Sequence, residues 1–358
     1  MSAVVTTDLV RQGRIGVLAT LVGGAAFVLT LVLVPLVRSV AHRFDAVDHP
    51  DSGKMHHGAT PYFGGVAIGF AALAIPPTLQ GWSREAAYVL IAAAMVSLTG
   101  LVDDLRDLHP YSRLSIEVIA SLLAIRGGAR VQIFGGWLDV VITVVSIVIV
   151  TNSFNLLDNM DGVASTIAVA TSGALLVAAL LERQVLVASL SAAIVGGCLG
   201  FLLFNWHPAS IFMGDAGSLM LGFLIAVTAL KLRAPTDHIR SVAAVLLILA
   251  VPLFDTSLVV ISRTRSGRSI LQGGKDHTSH RLNQLGLSIR WVAGTLGVTT
   301  VVCAGSGVLV ARGVLNPILA LAIALIVGNS TMLPMLRMRV YNAPDSTRSA
   351  RESRSLPR

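Results

Sequence analysis

A chain of 358 residues that is 54% hydrophobic and 13% charged, with a mean hydropathy of +0.76, is excluded from the ordinary soluble globular class. Its apolar mass is Ala, Val, Leu, Ile and Gly, the small and aliphatic set that lets helices pack closely in lipid, so a polytopic membrane protein is expected. The net charge of +8 argues for no nucleic-acid partner, because the basic residues collect in a few short loops and in an Arg-rich tail, as the positive-inside rule requires.

A membrane span needs about 20 mostly apolar residues, with ~17 as a minimum. In chain order the sequence predicts spans over Ile15–Val37, Phe63–Gln80, Ala86–Val102, Leu114–Ile125, Leu138–Phe154, Val163–Leu181, Leu186–Phe204, Ser218–Leu232, Ser241–Ser262, Trp291–Ala311 and Pro317–Leu336. The expected fold class is therefore all-α, a polytopic membrane helical bundle of about 11 transmembrane helices, or 10 if the short fourth segment is lost. The first run exceeds a signal-peptide core of ~7 to 15 residues and is expected to stay as a span. Cys198 and Cys303 both lie inside apolar runs and read as packing residues. Residues 1–336 form one expected integral-membrane domain. Residues 337–358 form a basic cytoplasmic tail without fixed structure, able to meet anionic membrane lipids. Most of the 27 Lys and Arg lie in the odd-numbered gaps and the tail, which puts those gaps and the C-terminus inside and the N-terminus outside.

The odd gaps also hold the chemistry. Asp103 and Asp104 open the run Asp103-Asp104-Leu105-Arg106-Asp107 at the end of the third span; adjacent acids near lipid suit a cation or a shared proton, or else cap a solvated helix end. Asp107 belongs either to that site or to Arg106. Asn155, Asp158 and Asp161 recur every third residue up to Gly162, along one side of a helix if the segment is helical. Asp215 sits between Gly214 and Gly217 just before the eighth span, equally suited to capping a helix and to holding a hard cation. Trp206 reads as an interfacial anchor. The gap after the ninth span carries Lys275-Asp276-His277-Thr278-Ser279-His280-Arg281, whose basic surroundings favour anion binding over zinc. Lys54, His56 and His57 make a smaller basic group. Asp255, inside the ninth span, is costly in lipid by ~2.5 to 3.5 kcal/mol and either faces the site or pairs with an Arg. Carboxylates that suit Mg²⁺ and basic groups that suit phosphate favour phosphoryl transfer. Neither a P-loop nor a hydrolase motif is present.

In this order the motifs resemble the polyprenyl-phosphate N-acetylhexosamine-1-phosphate transferases, the WecA/TagO group related to the MraY translocase, from roughly Asp48 to Leu285. The carriers are Asp103-Asp104, the Asn155-to-Gly162 run, Phe212-Met213-Gly214-Asp215-Ala216-Gly217-Ser218 and Lys54-Met55-His56. The family commonly reads His-x-His-His in its last loop, where this chain has Ser279 in place of the middle His. The resemblance implies a multi-pass enzyme of the bacterial plasma membrane. It would transfer N-acetylhexosamine-1-phosphate, GlcNAc-1-phosphate first, from a UDP-N-acetylhexosamine to a membrane polyprenyl phosphate lipid, releasing UMP for cell-envelope polysaccharide synthesis. It implies Mg²⁺, with Mn²⁺ as substitute, on Asp215, Asn155 and Asp104. Asp103, Asp104, Asp158, Asp161 and His280 take catalytic roles, and Lys54, His56, Asn155, His277 and Arg281 bind substrate. A homodimer is compatible with this reading. The rival readings are a phospho-N-acetylmuramoyl-pentapeptide transferase, disfavoured by the absence of three consecutive His followed by Phe-Glu, and a cation transporter, which predicts acids at mid-span.

Overall fold

The computed structural model describes residues 2–44, 47–48, 60–232, 238–338 and 340, with side chains for all of these except residues 2–12 and Asp48. The chain opens with α1 (Ser2–Arg43), the two-residue strands β1 (Val47–Asp48) and β2 (Thr60–Pro61), and α2 (Gly64–Gln80). Next come α3 (Arg84–Arg106), α4 (Pro110–Arg126), α5 (Gly136–Leu157), α6 (Val163–Leu181), α7 (Val185–Asn205) and α8 (Asp215–Lys231). The last third holds α9 (His238–Ile248), α10 (Ala250–Arg265), α11 (Thr278–Gln284), α12 (Ile289–Ala311) and α13 (Pro317–Arg337). Among the described residues seven helices are long and apolar enough to cross a membrane: α1, α3, α5, α6, α7, α12 and α13. The pair α9–α10 makes an eighth if it is one bent span. The protein is thus an all-α, multi-span membrane bundle. Residues 341–358 of the expected tail lie outside the described residues.

Local chemistry sets several helix ends. Ser83 accepts the Ala86 N–H at 3.1 Å and starts α3, while Asn316 accepts from Ile318 and Leu319 ahead of Pro317 and starts α13. The ninth predicted span is not continuous: α9 and α10 meet at Leu249 with a 69° bend. Pro252 supplies the reason, because it has no N–H to donate to the Ile248 carbonyl and its ring crowds that oxygen, so α9 ends at Ile248.

α8 is the axis of the bundle. Every residue from Ala216 to Ala229 is buried, as an all-round apolar helix requires, and α2, α3 and α5 pack around it. Missing side chains make that approach close: a Cβ on Gly65 would stand 2.2 Å from the Gly217 Cα, and one on Gly100 2.3 Å from the Asp215 carbonyl oxygen. Gly100→Ala should therefore cost about 1–3 kcal/mol of overpacking, more than the ~1 kcal/mol gained in helix propensity. A melting temperature at or above wild type in detergent would show that α3 and α8 have room to spare.

The antiparallel arrangement of α3 and α8 is pinned at both ends. At one end Lys231 Nζ, 8% exposed, donates to Glu85 Oε2 at 2.9 Å and to the Gly127 carbonyl, tying the last turn of α8 to the first of α3 and the end of α4. The other end carries the acids. There, β1 and β2 pair antiparallel (Val47 with Pro61), and the Phe212 N–H bonds to the Pro61 carbonyl while Gly64 and Gly65 donate to Phe212 and Met213. The chain before α8 is thereby fastened to the loop that carries Lys54 and His56, whose own positions lie outside the described residues.

Candidate active site

Asp103 and Asp104, in the last turn of α3, point to different partners. Asp104 accepts the backbone N–H groups of Asp215 at 2.8 Å and Ala216 at 3.1 Å, so an acid of α3 caps the N-terminus of α8. Gly214 has φ 73° and no room for a side chain, since a Cβ there would lie 2.7 Å from Asp104 Oδ2. Asp103 accepts the Leu108 N–H at 2.7 Å on Oδ1 and Arg113 Nη1 at 2.8 Å on Oδ2. Asp107 is the exposed, left-handed cap of α3 (φ 46°).

Arg113, near the start of α4, is the residue that sequence reasoning missed. Its Nη1 bridges Asp103 and Asp215 Oδ2, the latter at 3.1 Å, and its Nε lies 4.0 Å from Glu117 one turn later. Glu117 accepts from Asn152 Nδ2 at 2.6 Å, and Asn155 Nδ2 donates to Asp215 Oδ1 at 2.7 Å and to Ser218 Oγ at 3.0 Å. The available signal was an Arg and a Glu at i and i+4 in the short, polar fourth segment, where they share one face.

Asp158 caps α5 beside this group. Its carboxyl is pushed up to about 8, first by burial and then by the negative charges of Asp215, Asp104 and Asp161. Asp161 turns the other way, accepting from His207 Nδ1 at 2.7 Å and the Ala209 N–H at 3.0 Å, while Gly162 donates its N–H to Asn205. Asp161 thus holds the 205–211 loop. Trp206 is 40% exposed there, over Gly162.

The last loop folds around two buried arginines. Arg263 grips Asp276 through two parallel bonds of 3.0 and 3.1 Å and reaches the Ile270 carbonyl at 2.8 Å. Arg281, 1% exposed, donates to the Asp276 carbonyl, Ser262 Oγ and the Met335 carbonyl, so its guanidinium is committed to the loop, to α10 and to α13. Asp276→Ala would strand the buried Arg263 charge and should cost about 3–5 kcal/mol, read as a lowered melting temperature; a change under 1 kcal/mol would show that water reaches the pair. Asp255 pairs with His277 rather than with an Arg. Ser279, in place of the family's middle His, donates its hydroxyl to Asn159 Oδ1 and ties the loop to the Asn155–Asp161 segment. The His280 ring lies 6.1 Å from that of His277, and burial, helped by His277 and Lys275, lowers its pKa to about 4, so it is neutral at pH 7.

One end of the bundle therefore gathers Asp103, Asp104, Asp158, Asp161, Asp215, Asn155, His277 and His280. A model of glycosyl transferase family 4 matches residues 86–233, which span α3 to α8 and include Arg113. The "probable undecaprenyl-phosphate N-acetylglucosaminyl 1-phosphate transferase" of Bacillus subtilis is 33% identical over 272 residues, 73% of this chain and 76% of that protein. The chain belongs to glycosyl transferase family 4. Other members include the decaprenyl-phosphate N-acetylglucosaminephosphotransferase of Mycolicibacterium smegmatis, 32% identical over 310 residues (75% of this chain, 76% of that protein). The undecaprenyl-phosphate alpha-N-acetylglucosaminyl 1-phosphate transferase of Salmonella typhi is 26% identical over 301 residues (79% and 81%). The family match contains the carboxylate centre and stops short of the His277–Arg281 loop.

Oxygen donors dominate the centre, which suits Mg²⁺ or Mn²⁺. Asp215 is 32% exposed and meets Asn155, and Arg113, a cation, already bridges it to Asp103. Among the described residues no group of three or more His, Cys, Asp or Glu forms a protein-only cage. Mg²⁺ typically takes one or two carboxylates together with substrate phosphates and water, so a partial oxygen set fits it.

Proposed function

We propose that this family member transfers N-acetylhexosamine-1-phosphate, with GlcNAc-1-phosphate as the first candidate, from its UDP-sugar to a membrane polyprenyl phosphate. An oxygen of the lipid phosphate bonds to the β-phosphorus of the nucleotide sugar, the α–β bridging P–O bond breaks, and UMP leaves with the electron pair. The observation that carries the reading is the Asp103–Arg113–Asp215–Asn155 arrangement at one end of the bundle, where a lipid headgroup and a soluble nucleotide can meet.

Asp215, with Asn155, would hold a divalent cation, which supplies charge neutralisation to the diphosphate when bound. Asp104 supports this indirectly by capping α8 and fixing the backbone of Asp215. Asp103, with both oxygens already accepting hydrogen bonds, would orient the lipid phosphate through Arg113, whose guanidinium it holds; a phosphate monoester has a second pKa near ~6 and needs little help to lose its proton. Arg113 would stabilise the negative charge of the phosphates, and His277 and His280 would meet the nucleotide; Lys54 and His56 remain substrate-binding candidates on the sequence pattern alone. Asp158 would position the nucleotide or sugar, and Asn159 ties its segment to the last loop through Ser279. Asp161 and Arg281 act by holding loops.

The three 17-residue helices α2, α4 and α8, added to the eight apolar segments, support a total of eleven spans in a single unit over residues 1–336. The basic gaps and tail support a bacterial plasma-membrane protein with its N-terminus outside and its C-terminus in the cytoplasm. Purified protein given polyprenyl phosphate should release UMP from UDP-GlcNAc, lose that activity in EDTA and regain it with Mg²⁺ or Mn²⁺. A panel of UDP-sugars ranks the donors. Cation flux in proteoliposomes with no UMP release from any sugar nucleotide would overturn the assignment in favour of a transporter.

A further inference from the structure

Asp255 is 1% exposed in a helix of a membrane bundle, and the mechanism above gives it nothing to do. Its depth is set by its neighbour: Thr256 Oγ1 donates to Ser153 Oγ at 2.7 Å, two residues before Asn155 on α5. Asp255 therefore lies close to the level of the carboxylate centre. Both of its oxygens are used by the last loop, Oδ1 by the Thr278 N–H at 2.7 Å and Oδ2 by His277 Nδ1 at 2.9 Å. His277 is itself 3% exposed and lies two residues before Ser279, which bonds to Asn159 beside Asp158.

We infer that Asp255 is a positioning residue for His277, holding its proton on Nδ1 so that Nε2, on the far edge of the ring, is the atom offered to the site. A carboxylate can only accept, so its bond to Nδ1 requires Nδ1–H. Carboxylate-to-imidazole pairing of this kind fixes the ring's orientation as well as its tautomer. α10 thus carries the carboxylate that sets one imidazole. The proposal that this imidazole serves phosphoryl transfer rests on the function proposed above; the Nδ1–H assignment does not.

Two measurements separate them. In protein labelled with ¹⁵N-histidine, the His277 signals, identified by their loss in His277→Gln, should show a protonated Nδ1 in wild type. In Asp255→Asn the amide oxygen can still accept from Thr278, but the amide N–H now faces Nδ1, and the proton should move to Nε2. An Nε2-protonated, Nδ1-bare ring in wild type overturns the inference whether or not the protein turns over UDP-sugars. In the UMP-release assay Asp255→Asn should lower kcat about 10–100-fold with a smaller change in KM, at a melting temperature near wild type. In a His277→Ala background the same change should have no further effect on kcat. Equal losses from Asp255→Asn with and without His277 would show that Asp255 acts independently of that ring and overturn its positioning role. UMP release that is absent from wild type would instead remove the function reading and leave the tautomer result standing.

Discussion

Asp215→Ala is expected to reduce UMP release from UDP-GlcNAc by at least about 10³-fold while leaving the protein folded. The loss in rate follows from what the carboxylate does: at 32% exposed it is more open than Asp103 (10%) or Asp161 (18%), and its two oxygens meet both Arg113 and Asn155. Removing an electrostatic group aimed at developing phosphate charge typically costs 10²–10³, and losing the seat of a divalent cation adds to that. The fold should survive because the α8 N-terminus is capped through its backbone by Asp104, not by the Asp215 side chain. Asp104→Ala is the matched comparison. It strips the cap from α8 and should lower both melting temperature and rate, the stability term being about 0.5–2 kcal/mol. If Asp215→Ala retained wild-type turnover, the site would have to be moved elsewhere in the bundle.

The two adjacent aspartates show what a sequence can and cannot reveal. Their position at a span end, on the same side as Asp158, Asp161 and Asp215, was legible from hydropathy and loop counting, because a membrane forces alternation of sides. Their division of labour was not. Asp104 touches the backbone of a helix that begins more than a hundred residues later, and only tertiary packing through Gly100 and Gly214 decides that Asp104 meets it while Asp103 does not.

The same limit explains the other differences. Arg281 reads in sequence as one more phosphate-binding cation, yet its guanidinium is buried against carbonyls and Ser262, a long-range arrangement with no local signature. Asp161 belongs to the three-residue series with Asn155 and Asp158, but α5 ends at Leu157, so the helical face that would align them stops before Asp161 and its carboxylate turns to His207. The continuous ninth span gave Pro252 no effect on the preceding turn, although that effect is a local rule and could have been read. Ser279 is the reverse case: a departure from the family pattern that the structure accounts for by a hydroxyl bond to Asn159.

Arg113 should show two opposite effects when removed. Arg113→Ala takes away the guanidinium that receives phosphate charge, and kcat should fall about 10²–10³-fold, the range for a lost charge-stabilising donor. The same side chain lies between Asp103 and Asp215, where a divalent cation would also be drawn, so it competes for Asp215. With Arg113 absent, Asp103, Asp215 and Glu117 are left as mutually repelling acids, and a metal ion gains what the guanidinium gave up. The Mg²⁺ concentration for half-maximal activity should therefore fall several-fold even as kcat collapses. Arg113→Lys keeps a charge but loses the planar fork that reaches Asp103, Asp215 and Glu117 together, and it should sit between the two in both measurements. A Mg²⁺ titration of the three proteins decides the matter: a half-saturating concentration that rises in Arg113→Ala would mean that the guanidinium organises the metal site instead of competing for it.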